Sequence, residues 1–386
     1  MTYRSDGTCR DAGNISQSFE ALPVKAEKIH SLTSLRFFAA AMVVVFHTRR
    51  EFGYFGLANH LALTQAVSLF FVLSGYILAH THRTITSKND LRSFYLKRFA
   101  RIWPLHLAGA AAAAWLIHFE GGSIAGAAAA LNVLLLHAWS WNINDYFSLN
   151  GVSWSLSDEA FFYAVFPLLI WRANTTWAVK LAGTVLLTAA MLLAFKNMGR
   201  PLMLWSAYIS PITRLSEFMM GIAAYQLREK LGRAIKTGWP ASVIEIGVAL
   251  IAVSAVWAAD LKFVSDLPFH PNKPVAIWLS NCGAAIVFAL LIAVFALEKG
   301  ILSRLLNARP LIYLGEISFA LYMVHQLVLR YAEDHGYMTP SYSISTKAIA
   351  YWLAAIAVAA VAHHLIEIPA QRLVWSRLTA RHNVIA

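Results

Sequence analysis

The chain has 386 residues, of which 58% are hydrophobic and 13% charged, with a formal net charge of +12. Soluble domains carry about a quarter of their residues as Asp, Glu, Lys or Arg, so this composition excludes an ordinary water-soluble globule and points to an all-α, polytopic membrane protein. The positive charge is not a nucleic-acid footprint, because Lys and Arg gather in short connections between apolar runs, as cytoplasmic loops do.

Residues 1–30 are polar and lack the apolar core of a signal peptide, so they read as a cytoplasmic tail. A membrane domain is expected over 31–372, followed by a basic cytoplasmic tail at 373–386. Apolar runs near the length of a bilayer span, about 20 residues, recur at 34–52, 60–82, 102–118, 127–140, 153–171, 177–195, 202–227, 241–259, 274–297, 311–331 and 346–368. The basic stretches 82–101, 228–238, 298–309 and 371–382 are assigned to the cytoplasmic side. Crossings between two cytoplasmic loops must be even in number, yet five runs lie between residues 101 and 228. The run 127–140 is short and is followed by the polar "NINDYFSLNG". It is expected to be re-entrant or interfacial, which leaves about ten spans with both termini cytoplasmic.

The polar groups inside these runs carry the functional reading, since titratable side chains in a span are costly and mark pathways. In "SLRFFAAAMVVVFH", Arg36 and His47 are eleven residues apart. That spacing returns to within about 20° of one helix face over a rise of about 16 Å. In "FFVLSGYILA", Ser74-Gly75 reads first as close helix packing, with Ser74 carried as a candidate substrate contact. "LKRFARIWPLH" puts Arg98 and Arg101 one turn apart and, with Arg92 and Lys97, forms a basic cytoplasmic mouth. Guanidinium groups suit phosphate through bidentate hydrogen bonds; the plainer reading is a topology signal.

"WSLSDEAFFYAVFPLL" places Glu159 at the head of an aromatic span, where Ser155, Ser157 and Asp158 read as caps. Glu159 is the candidate carboxylate to orient or activate a histidine. "LGEISFALYMVHQLVL" sets Ser318, Tyr322 and His325 on one stripe facing a wet cavity. Glu367-Ile368-Pro369 is expected to end the last helix. His80, His82, His106, His118, His137 and the pair His363-His364 show no metal-ligand spacing, and Cys9 and Cys282 give neither a metal motif nor a disulfide framework. No metal is expected.

Six stretches in order resemble acyltransferase family three, the membrane O-acetylases of bacterial surface polysaccharides. They are "SLRFFAAAMVVVFH", "FFVLSGYIL", "KRFARIWPLH", "VSWSLSDEAFFYAVFPLL", "LGEISFALYMVHQLV" and "IEIPAQR", spread over residues 32–372. Asp158 and Phe319 depart from the family pattern, and the chain resembles the stand-alone subgroup without a fused hydrolase-like domain.

The resemblance implies transfer of an acyl group, usually acetyl, from cytoplasmic acyl-CoA to a hydroxyl of a glycan or lipid-linked glycan at the outer face of the bacterial inner membrane. Exopolysaccharide biosynthesis is one setting for such transfer. Arg36, Arg98 and Arg101 would hold the phosphates of coenzyme A. His47 would accept the hydroxyl proton or carry the acyl group itself, and the sequence leaves both routes open. Glu159 would hold the other imidazole N–H, and Tyr322, His325 and Ser74 would contact the acceptor or the oxyanion. The bilayer, acyl-CoA and the glycan are the expected partners; nucleic acid is not, and a homo-oligomer is left open. The main alternative is a proton-coupled transporter or flippase for a lipid-linked sugar. It predicts pseudo-symmetric halves, whereas the polar positions cluster in the first half and at 316–325. A sensor or scaffold without catalysis would leave these His and Arg residues replaceable.

Overall fold

The computed structural model describes residues 27–260, 264, 273–339 and 342–385. Residues 1–26 of the expected N-terminal tail, with Cys9, lie outside the described residues. Among those described there is no strand. The helices are α1 His30–Phe52, α2 Gln65–Thr81, α3 Lys88–Phe119, α4 Gly126–Val133, α5 Ile143–Tyr146, α6 Trp154–Ile170, α7 Ala173–Ala194, α8 Arg200–Leu204 and α9 Pro211–Ala234. They continue with α10 Trp239–Ala258, α11 Lys273–Cys282, α12 Ala285–Phe295, α13 Ile301–Leu306, α14 Arg309–Glu316, α15 Ser318–Asp334, α16 Ile344–Ala362 and α17 Ile368–Ile385. The last helix does not end at Glu367-Ile368-Pro369 as expected: helix continues through a π turn at His363–Glu367 into α17, because proline's fixed φ suits the first turn of a helix, and the expected C-terminal tail is therefore helical.

Six segments among the described residues are long and apolar enough to cross a bilayer: α1, α3, α7, α10, Lys273–Phe295 and Ile344–Leu378. A seventh arises if α14 and α15, bent by 62° at their junction, form one broken span. The remaining expected runs also fall on helices, but for identifiable reasons they do not qualify alone. Helices α2 and α6 have 17 residues each, and α9 carries Arg214 and Glu217 near its start. The run 127–140 forms no span. Its α4 has eight residues, about 12 Å of rise against a hydrocarbon core of about 30 Å.

The outer surface is apolar. Val179, Leu186, Leu250, Val253, Ile286 and Leu353 are each more than three-fifths exposed, whereas Asp158, Arg214, Glu217 and His325 are fully buried. Such an inversion suits a bundle whose solvent is lipid.

Helices in lipid associate by close van der Waals packing rather than by a hydrophobic drive, and two glycines show this. A Cβ on Gly75 of α2 would fall 2.0 Å from the Phe218 carbonyl oxygen of α9, and one on Gly221 would fall 2.0 Å from that of Val72. Backbone meets backbone there, and only glycine fits.

Helix α3 starts with a capping box, in which the Ser87 hydroxyl accepts from the Asp90 N–H and the Asp90 carboxylate accepts from the Ser87 N–H. That box sets the register presenting Arg98 and Arg101 inward. A π-helical turn at His363–Glu367 joins α16 to α17 and carries Glu367 to the same region.

Candidate active site in two chambers

Two cavities meet in the middle of the bundle. The first, of about 90 Å³, is lined by Arg36 of α1, Ser74 of α2, Arg98 and Arg101 of α3, and Glu159 and Tyr163 of α6. Arg98 and Arg101 share one face of α3 because residues three apart are neighbours on a helix. The Ser74 hydroxyl donates to Glu159 Oε1 at 3.1 Å, and the Tyr163 hydroxyl donates to the same oxygen. Arg101 pairs with the buried Glu367, which also binds His363 Nδ1 at 2.8 Å and accepts from Gln371 Nε2 at 3.2 Å. Three guanidinium groups thus face one carboxylate inside the chamber, with Glu367 holding Arg101 from behind. The surplus is cationic and fits an anionic ligand.

The second chamber, of about 370 Å³, is lined in part by His47. His47 Nδ1 lies 3.0 Å from the Val43 carbonyl oxygen and 3.0 Å from His325 Nε2. His325 Nδ1 lies 2.7 Å from the Tyr322 carbonyl oxygen. Carbonyl oxygens only accept, so in the neutral rings each Nδ1 carries the proton. His325 Nε2 is then a lone pair that receives the His47 Nδ1–H, and His47 Nε2 is left as a free base. These protons are assigned from the hydrogen-bond network. The Tyr351 hydroxyl donates to the His325 carbonyl oxygen at 3.0 Å, fixing the second histidine from α16.

The chambers share two walls, Val67 and Tyr322. Tyr322 donates its hydroxyl to the Val152 carbonyl at 2.9 Å and receives Ser155 Oγ at 2.8 Å. Its phenol is therefore bolted to the start of α6.

The family model described as an acyltransferase domain matches residues 29–364. The chain belongs to acyltransferase family three. It is 29% identical over 390 residues to acyltransferase MdmB of Streptomyces mycarofaciens, covering 92% of this chain and 95% of that protein. It is 23% identical over 389 residues to O-acetyltransferase OatA of Staphylococcus aureus, covering 90% of this chain but 59% of OatA. No solved structure matches. The chain is an acyl-transferring enzyme built as a multi-helical membrane protein.

Within this family member, the residues singled out from the sequence separate into two groups. Arg36, Arg98, Arg101, Glu159 and Ser74 share the first chamber, and His47 lines the second. Arg36 and His47 sit on one helix yet open into different cavities. Glu159 was expected to hold the His47 imidazole. Its hydrogen bonds go instead to Ser74 and Tyr163, and the atom facing His47 Nδ1 is His325 Nε2. His325, expected at the acceptor, is fully buried and lines neither chamber; what it reaches is His47. Tyr322 touches both spaces, but its hydroxyl proton is already committed to Val152.

Sequence reasoning gave no site role to Glu367 or His363 and overlooked Tyr163 and a buried charge cluster. Arg214 and Glu217, both fully buried, pair at 2.9 Å, and Arg214 also reaches the Cys282 thiol. The Arg214 guanidinium stands 5.9 Å from the Trp154 ring and 5.5 Å from that of Tyr208, behind the aromatic wall of the second chamber. Intramembrane charges three residues apart in the run 202–227 were the available signal.

Proposed function

We propose that this enzyme moves an acyl group of acetyl size from cytoplasmic acyl-CoA to a hydroxyl of a cell-surface or lipid-linked glycan, in a bacterial inner membrane, with ten crossings and both termini cytoplasmic. The observation that carries the reading is the free Nε2 of His47, backed by His325, one shared wall away from a chamber with three arginines. In this reading the coenzyme A phosphates bind Arg36, Arg98 and Arg101, and the thioester reaches the wall of Val67 and Tyr322. The acceptor oxygen attacks the thioester carbonyl carbon while its proton passes to His47 Nε2. A C–O bond forms and the C–S bond breaks. The departing thiolate then takes the proton from His47, so no net proton is gained or lost. His325 Nε2 accepts the Nδ1–H of the transient imidazolium, the orienting role a carboxylate plays in other triads. The name of the S. aureus relative, an O-acetyltransferase, supports both an acetyl group and an oxygen acceptor.

The test compares membranes carrying wild type or His47→Ala at matched abundance, following acyl-CoA consumption and, by mass spectrometry, acylation of surface glycans. Both are expected to disappear in the variant. Acyl-CoA consumption that persists unchanged without His47 would overturn the proposal.

A further inference from the structure

The charge census of the second chamber says which acceptors it can take. Its lining includes no Asp, Glu, Lys or Arg, in contrast to the three arginines and one glutamate of the first. The cations near it stand outside that lining. Arg214 is fully buried behind Trp154 and Tyr208 and paired with Glu217. Arg49 stacks 4.2 Å over the Phe46 ring at the chamber's edge, two residues from His47.

The walls are aromatic. Trp154 and Tyr208 meet with ring centroids 4.8 Å apart at an interplanar angle of 59°, forming a corner. Phe46 and Phe147 face it from α1 and from the segment before α6. One amide enters the space: Gln326, next in sequence to His325, makes no side-chain hydrogen bond among the described residues. Gly151 leaves that amide room, since a Cβ there would lie 3.2 Å from Gln326 Oε1. At about 370 Å³, the cavity falls at the lower end of the range of about 300–1,000 Å³ usual for small-molecule sites.

We infer that the chamber beside His47 takes an uncharged pyranose ring, its apolar C–H face against the Trp154–Tyr208 corner and one hydroxyl oriented by Gln326 toward His47 Nε2. A ring bearing a carboxylate or phosphate would give up water with no cation in the lining to meet it, and burying an unpaired charge is strongly unfavourable. An uncharged ring gives up little, because aromatic faces take apolar surface readily. The inference deepens the acyl-transfer reading and rests on it.

The experiment uses the purified enzyme in lipid nanodiscs with radiolabelled acetyl-CoA and three matched acceptors: p-nitrophenyl xyloside, p-nitrophenyl glucuronide, and the methyl ester of that glucuronide. The ester and the acid share ring and hydroxyls and differ in charge. The xyloside and the ester are expected to be acetylated, and the acid to show kcat/KM lower by about tenfold or more. Gln326→Arg is expected to narrow that gap by supplying a cation. Trp154→Ala is expected to raise KM for the sugar and leave that for acetyl-CoA unchanged. If the acid is acetylated as well as its ester by the wild type, or if none of the three is acetylated while His47-dependent consumption of acetyl-CoA continues, the inference is overturned and the acyl-transfer reading stands. If no acetyl-CoA consumption depends on His47, the acyl-transfer reading itself fails and the inference falls with it.

Discussion

His325 Nε2 sits 3.0 Å from His47 Nδ1, with the two ring centroids 5.1 Å apart. The Val43 carbonyl keeps the proton on His47 Nδ1, and the second ring offers that N–H a further acceptor from another helix, leaving Nε2 bare. His325→Leu removes one of the two acceptors for the Nδ1–H and is expected to lower kcat by about a hundredfold with the donor KM unchanged. His325→Asn, which restores an acceptor oxygen, should recover part of the loss. Equal activity in the Leu and Asn variants would mean that the ring serves packing alone.

In the proposed reading, Arg98→Ala and Arg101→Ala each remove a charge-assisted contact to a coenzyme A phosphate. Such contacts are worth about 1.5–3 kcal/mol, so the donor KM is expected to rise by about tenfold or more, with the acceptor KM little changed. Glu367→Gln should raise the donor KM in the same direction, because Arg101 loses the carboxylate that aims it. Steady-state kinetics with varied acyl-CoA decides this, and an unaltered donor KM would remove these arginines from the site.

The pair Arg214–Glu217 is sealed from solvent and lies beside the equally buried Asp158. Arg214→Met leaves two acids without a cation and is expected to cost about 3–5 kcal/mol. Adding Asp158→Asn and Glu217→Gln to the same chain should recover most of it. Thermal unfolding of the purified protein in detergent provides the readout. A single Arg214→Met variant that melts with the wild type would show that the cluster is not held by charge.

Gly75→Ala and Gly221→Ala would each push a methyl group against a carbonyl oxygen 2.0 Å away. Overpacking usually costs about 1–3 kcal/mol, and backbone contacts on both sides place these variants at the upper end of that range. Size-exclusion profiles after graded heating should show earlier loss of the folded peak. Gly247→Ala, where the structure leaves open space, serves as the control expected to behave like wild type.

The helices were legible in the sequence because long apolar runs have few alternatives in a bilayer. The grouping of Arg36, Arg98 and Arg101 was legible too, since basic residues at the ends of runs share a membrane level. Partners were not. His47 meets His325 across 278 residues of chain, and Arg101 meets Glu367 across 266. No periodicity within one helix reports what another helix brings. Glu159 misled for the same reason. Its place at the head of α6 suggested a histidine partner, while its neighbours prove to be Ser74 on α2 and Tyr163 one turn further along α6. The eleven-residue interval from Arg36 to His47 correctly set one face of α1 but could not reveal the septum that divides it.

That septum, Val67 and Tyr322 standing in both chambers, bears on membrane integrity as well as on chemistry. An enzyme that draws one reactant from inside the cell and the other from outside risks becoming a leak for protons and ions. In the proposed reading, Tyr322, pinned at its hydroxyl, and Val67 would narrow the passage between the two reactants. Such a constriction would keep the cell's electrochemical gradient insulated while the acyl group crosses.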